Sequence, residues 1–276
     1  MALRSALINV MAKACHKAAR GLLRDFGEVE NLQVSRKGPA DFVSTADTDA
    51  ERSLVAELKK ARPAYGFLLE EGNEIESTDP NGQRWIIDPL DGTTNYLHGI
   101  PHWAISIGLE EKGEVIAGMI YDPIRDDLYW GERGRGSYLN DKRLRVSGRR
   151  NMIDALFATG APFAGHGEHE LFLNQMRSVM AATSGVRRMG AASLDLAYVA
   201  SGRFEGFWES HLHPWDIAAG SLIVKEAGGY ITDFRGRDKS MENGEVVCGN
   251  DRLHHRLLKM LRDAGEVPRG TAEEDA

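Results

Sequence analysis

Cysteine is almost missing from this sequence. Cys15 and Cys248 are its only two among 276 residues, and they stand too far apart to form a CxxC pair. A disulfide-stapled scaffold is therefore excluded, and buried free thiols in a reducing, cytoplasmic location are expected. No apolar run approaches the roughly 20 residues that a membrane helix needs. The opening stretch MALRSALINVMAKACHKAARGLLRDF is interrupted by Lys13, His16, Lys17 and Arg20 at helical intervals. It reads as an amphipathic helix, not a signal segment. Basic charge is also short, with 34 Lys and Arg against 41 Asp and Glu and a formal net charge of -7. A surface built mainly for nucleic acid is thus not expected. Three catalytic signatures are missing as well: the GxSxG elbow, the CxxxxxR loop and the HExxH metal helix.

What is present is an ordinary globular composition, 42% hydrophobic and 27% charged, enough for a large core. Ser44 or Thr45 can cap a second helix that Pro63 ends. The runs GFLLE (66–70) and RWIID (84–88) are short, apolar and end in an acid, as buried strands do when they deliver a carboxylate. From Trp103 to Val146 apolar and polar residues alternate between turn signals, which predicts an antiparallel meander. Beyond residue 150 strands and helices alternate instead. The fold class predicted is α+β followed by α/β: an N-terminal lobe over 1–147, a C-terminal lobe over 148–265 and a polar tail over 266–276.

The stretch WIIDPLDGTTN (85–95) carries the chemistry. Asp88 and Asp91 flank Pro89, whose fixed φ stiffens the turn. Gly92 permits close backbone approach, and Thr93 and Thr94 can open a helical turn whose N–H groups point at an anion. Clustered carboxylates and an anion repel each other unless a cation lies between them. Hard Mg²⁺ takes oxygen ligands from aspartates and shares phosphate oxygens with a substrate, so metal-assisted phosphate ester hydrolysis is indicated. A plain acidic turn, hydrogen-bonded to its own backbone, is the competing reading. Glu70, Asp47 and Asp216 shift the balance, because each is an acid beside residues that should be buried, and an unpaired buried carboxylate is costly.

These residues resemble the inositol monophosphatase family over roughly residues 5–262. WIIDPLDGTTN and WDIAAGSLIVKEAGG are close to its two signatures, with Glu70, Glu71 and DFVSTAD at the expected distances upstream. The resemblance implies a layered αβαβα sugar-phosphatase fold, two or three Mg²⁺ per site, sensitivity to Li⁺ and a homodimer. It assigns Glu70, Asp88 and the Leu90 carbonyl to one metal, Asp88, Asp91 and Asp216 to a second, and Glu70 with waters to a third. Gly92 and Thr93 N–H groups would hold the phosphate. The Thr93 hydroxyl, backed by Asp47, and Glu70 would orient and deprotonate the attacking water. Asp91, the Ala192 N–H and Glu209 would meet the ring hydroxyls.

The expected substrate is a small-molecule phosphate monoester, myo-inositol monophosphate or a similar polyol ester. Relatives of the fold act on fructose 1,6-bisphosphate, 3'-phosphoadenosine 5'-phosphate or histidinol phosphate, and Arg187, Arg188 and Arg203 could serve a second phosphate. A further alternative is a non-enzymatic partnership with the transcription machinery. The loop cations Arg36 and Lys37 could close over phosphate, and His213 is expected to support Asp216. Two residues depart from the family pattern: Leu69, where a small residue is usual, and Ala191, where a hydroxyl is common.

Overall fold

The helix read at the N-terminus is α1 (Ala6–Phe26), and its apolar stripe of Ile8, Met11, Cys15, Ala18 and Leu22 is buried. The computed structural model describes residues 4–26, 34–38, 41–163, 165 and 167–265. A hairpin of β1 (Val34–Gly38) and β2 (Asp41–Ser44) follows, paired antiparallel, where the sequence suggested only a loop. The segment is too short for its alternation to stand out, and its side chains, those of Arg36 and Lys37 included, lie outside the described set. Then come α2 (Thr45–Ala61), β3 (Gly66–Leu69), β4 (Arg84–Asp91) and α3 (Thr93–Leu97). The predicted meander is β5 (Ala104–Glu111), β6 (Glu114–Asp122), β7 (Asp127–Glu132), β8 (Gly136–Leu139) and β9 (Lys142–Arg143). Strands β3 to β9 form one seven-stranded sheet in chain order, with β3 parallel to β4 and the rest antiparallel.

The second half contributes β10 (Leu156–Thr159), α4 (His169–Ala182), β11 (Gly185–Arg187), α5 (Ala192–Ala200), β12 (Gly206–Glu209) and α6 (Pro214–Glu226). It ends with β13 (Tyr230–Thr232), α7 (Ser240–Asn243), β14 (Val246–Gly249) and α8 (Asp251–Gly265). Its sheet runs in the order β11-β10-β12-β14-β13. Strands β11, β10 and β12 are parallel, and β14 is antiparallel to both neighbours. Three-residue β13 leaves no periodic trace and was not anticipated.

Layering follows from which faces are apolar. Along β6, Met119 and Tyr121 pack with α1 and α2, while Ile120 joins Leu196, Ile217 and Ile223 of α5 and α6 on the opposite face. Both faces are covered, so β5 and most of β6 are buried on both sides, where the sequence was read as alternating apolar and polar. The helices α5 and α6 lie between the two sheets and are buried almost all round. A third core holds Phe157, Val179, Trp208 and Leu257 under α4 and α8. The sequence of layers is thus α, β, α, β, α. Cys15 and Cys248 are buried free thiols, and burial pushes both well above their usual range.

Two histidines are locked inside. His102 is buried with neither ring nitrogen hydrogen-bonded, and burial, aided by nearby Arg125, pushes it down to about 4. His254 is also lowered to about 4, by burial first and His255 next. Each favours the neutral ring, so the stability it contributes is full above about pH 6.5 and is lost as pH falls through 4. His102→Leu, which removes one such group, is expected to flatten the decline of Tm between pH 7 and pH 5. Melting curves at the two pH values give the slope, and an unchanged slope would show that His102 charges without cost.

Candidate active site

Strand β4 delivers two carboxylates through a defect in its pairing. Asp88 stands opposite Ser106 of β5, whereas Asp91 stands opposite Ala104, so three steps on β4 match two on β5. Pro89, with no N–H to give the ladder, sits inside this bulge. In a regular strand, residues three apart face opposite sides; one extra residue restores the same side. The Leu90 N–H donates to Asp88 Oδ1 at 2.9 Å. The acidic turn therefore exists, and it exists together with the cluster.

Gly92 follows in the left-handed region, with φ +92°. A Cβ there would approach the His102 carbonyl to 3.1 Å and the Gly190 carbonyl to 3.3 Å, so both backbone conformation and space require glycine. Helix α3 starts at once, with the Tyr96 N–H donating to the Gly92 carbonyl at 3.0 Å. The N–H groups before Tyr96 have no acceptor within the helix. Thr93 Oγ1 lies 3.1 Å from Asp47 Oδ1 and 3.0 Å from the Leu90 carbonyl. Its single proton is directed to those acceptors, which leaves its lone pairs to receive a hydrogen bond from water.

The remaining acids arrive from elsewhere. Asp88 is raised well above its ordinary value by burial first, then by Glu70, Asp91 and Asp216, and it shares a hydrogen bond with Glu70. Asp216 is raised by burial, Asp91, Glu70 and Glu209, against one stabilising bond from the His213 N–H to its Oδ2 at 2.7 Å. The His213 ring stacks on Trp215, centroids 4.8 Å apart, and His213 forms a capping box with Asp216 at the start of α6. Asp91 is raised by burial and is partly relieved by the Ser193 hydroxyl and the Ser193, Ala192 and Leu194 N–H groups at the start of α5. The Ala192 N–H thus faces Asp91. Glu209, at the end of β12, is pushed up to about 8 by burial and Asp91, with Arg188 opposing.

Glu70, Asp88, Asp91, Asp216 and Glu209 therefore share one neighbourhood, and Asp47 and Thr93 adjoin it. Among the described residues no three His, Cys, Asp or Glu side chains already stand as a closed set of metal ligands. The donor chemistry still fits a divalent cation: hard oxygen ligands, largely buried, repelling one another. Ser193, Asp195 and Glu51 were not foreseen. Asp195 is buried with Oδ1 unpaired and is raised by burial, Glu209 and Asp91. Glu51 accepts the Glu71 N–H at 2.9 Å and so braces the turn after Glu70. It lies one helical turn beyond Asp47, which was the available signal. Of the three arginines considered for a second phosphate, only Arg188 acts on the site's acids. Arg203 stacks over Tyr198 at 4.7 Å and pairs with Asp127, and Arg187 bonds the Val186 carbonyl. Leu69 and Ala191 are buried.

Comparison with known proteins finds relatives along nearly the whole chain. The sequence profile of the inositol monophosphatase family matches residues 3–266. An inositol-1-monophosphatase of Rhizobium meliloti is 56% identical over 259 residues, 94% of this chain and 97% of that protein. The Nus factor SuhB of Pseudomonas aeruginosa is 42% identical over 259 residues, covering 93% and 96%. The crystal structure of extragenic suppressor protein suhB from Bartonella henselae superposes with a TM-score of 0.91 at 52% identity, covering 94% of this chain and 99% of that one.

Proposed function

This chain belongs to the inositol monophosphatase family and is a phosphatase; we propose that it hydrolyses myo-inositol monophosphate or a similar small polyol phosphate with Mg²⁺. The observation that carries the proposal is the convergence of Glu70, Asp91 and Asp216 on buried Asp88. Glu70, Asp88, the Leu90 carbonyl, Asp91 and Asp216 would hold two or three Mg²⁺. When bound, Mg²⁺ supplies positive charge that neutralises the acids and phosphate and eases deprotonation of water.

The chain's own groups do the rest. Gly92 and Thr93 N–H groups bind phosphate oxygens at the start of α3. Thr93 Oγ1, its proton fixed toward Asp47 and Leu90, accepts a hydrogen bond from the attacking water and aims its lone pair at phosphorus. Glu70 takes the proton. Glu209 and Asp91 accept hydrogen bonds from the ring hydroxyls. A substrate panel with and without EDTA tests this: metal-dependent turnover of inositol monophosphate is expected, and full activity in EDTA would contradict it.

Glu209 offers a sharper check. A Cβ on Gly160 would fall 1.7 Å from Glu209 Oε1, so Gly160→Ala must displace that carboxylate. KM for inositol monophosphate should rise about tenfold or more with a smaller change in kcat, the pattern of lost substrate binding. An unaltered KM would remove Glu209 from the substrate site.

The Nus factor name of the Pseudomonas aeruginosa relative supports a second reading, association with the transcription machinery. Pull-down with RNA polymerase, comparing wild type with Asp216→Asn, separates it from catalysis. Equal capture of both would place binding outside the cleft. We also propose a homodimer, which light scattering would reveal. Among the described residues no helix is long and apolar enough to cross a membrane.

A further inference from the structure

Asn95 closes the stretch WIIDPLDGTTN, yet neither cation, phosphate nor ring has been assigned to it. Its side chain is buried, 7% exposed. Nδ2 donates to the carbonyls of His102 at 2.8 Å, Met189 at 2.9 Å and, more weakly, Gly190 at 3.3 Å. All three partners are acceptors, so the position calls for paired N–H donors without charge, and an aspartate of the same shape would not serve. His102 is a near neighbour in sequence. Met189 and Gly190 are 94 and 95 positions away and form the entry to α5.

A second tie joins the same two segments. In the first turn of α5, Ser193 donates to Asp91 Oδ2 through its N–H, at 2.8 Å, and through its hydroxyl. Asp91 lies just before Gly92 and Asn95 three residues after it, so the two ties bracket the phosphate turn. Between them the chains touch: a Cβ on Gly92 would lie 3.3 Å from both the Gly190 carbonyl and the Ala191 Cβ. Ser193 can hold Asp91 in one place only if α5 is itself held, and the Asn95 amide anchors its entry to the turn.

We propose that Asn95 is a positioning residue, which clamps the entry of α5 to the phosphate turn and so holds the Asp91 carboxylate where cation and ring hydroxyls meet it. The inference rests on the phosphatase reading of the site and adds a residue to it. Asn95, turned toward those carbonyls, reaches neither cation nor substrate. Its loss would let the 189–190 turn part from Gly92, α5 would carry Ser193 with it, and Asp91 would lose its fixed orientation. Grip on the ligands then weakens more than the chemical step does.

Asn95→Leu keeps the branched outline and removes the donors without adding charge. The Kd for Mn²⁺, read without substrate by electron paramagnetic resonance, and KM for inositol monophosphate should each rise about tenfold, as when a metal site loses supporting bonds. The fall in kcat should be smaller. Damage to the fold alone would lower kcat and leave both constants in place. Gly190→Ala attacks the same contact from the far side: Gly190 has φ +84°, and a Cβ there would sit 3.2 Å from Asn95 Nδ2. It should move both constants in the same direction, and the double variant should cost little more than the worse single one. Gly190→Ala also carries the test should Asn95→Leu fail to fold. Unchanged Kd and KM in a folded variant, or losses that simply add, would overturn the role of Asn95 and leave the phosphatase reading standing. A wild type that bound no Mn²⁺ and hydrolysed no inositol monophosphate would overturn both.

Discussion

Asp88→Asn is expected to lower kcat by roughly 10²–10³-fold or more and, in metal-free buffer, to raise the melting temperature. The two effects have one cause. Asp88 is 2% exposed and is raised by burial and by Glu70, Asp91 and Asp216, so its charge is unfavourable in the folded protein without a counterion. An amide removes that charge yet keeps an oxygen to accept the Leu90 N–H. Relief of about 1 kcal/mol corresponds to roughly 3 °C in a chain of this size. With excess Mg²⁺ the order should reverse, since the wild type gains a ligand that the variant holds poorly. Scanning fluorimetry in EDTA and in Mg²⁺, beside initial rates, reads all three quantities. A variant less stable than wild type in both buffers would mean that Asp88 serves the fold alone.

Metal removal should abolish activity, and the stabilisation by Mg²⁺ should grow with pH. Asp88, Asp91 and Asp216 all have folded-state values raised above their ordinary range, by burial first. Stability from a raised carboxylate is complete below about pH 4 and is lost as pH rises through the folded value. The metal-free protein should therefore grow less stable as pH increases through that range. The cation competes with those protons, so its binding strengthens over the same range. At a hundred times its Kd it adds about 2.7 kcal/mol. Taken as the difference with and without Mg²⁺, the shift in Tm cancels the titration of His102 and His254, which lie outside the cluster. A Mg²⁺ shift in Tm that is flat all the way from pH 5 to pH 9 would contradict a carboxylate site.

The sequence revealed the parts of the site that are local. Asp88, Pro89, Asp91, Gly92 and Thr93 lie in one stretch, and their residue types alone imply a turn, a left-handed glycine and a helix start. The apolar neighbours of Glu70 and Asp216 exposed the conflict between burial and charge. The β4 bulge was hidden, since it exists only in the register against β5, and it decides that Asp88 and Asp91 face one side. Ser193 was hidden for a similar reason: it meets Asp91 across 102 positions, and nothing near either residue announces the other. The contact between Gly160 and Glu209 likewise depends on two neighbouring strands of the second sheet. Strands β1, β2 and β13 escaped because three to five residues are too few for period-two alternation to register.

Crystals grown or soaked with Mn²⁺ and measured for anomalous scattering put the matter to the most direct test. Strong peaks are predicted among the carboxylates of Glu70, Asp88, Asp91 and Asp216, and they should vanish in Asp88→Asn. A wild-type crystal with no peak at that cluster, or an undiminished peak in the variant, would contradict the idea that cations are what bring these acids together.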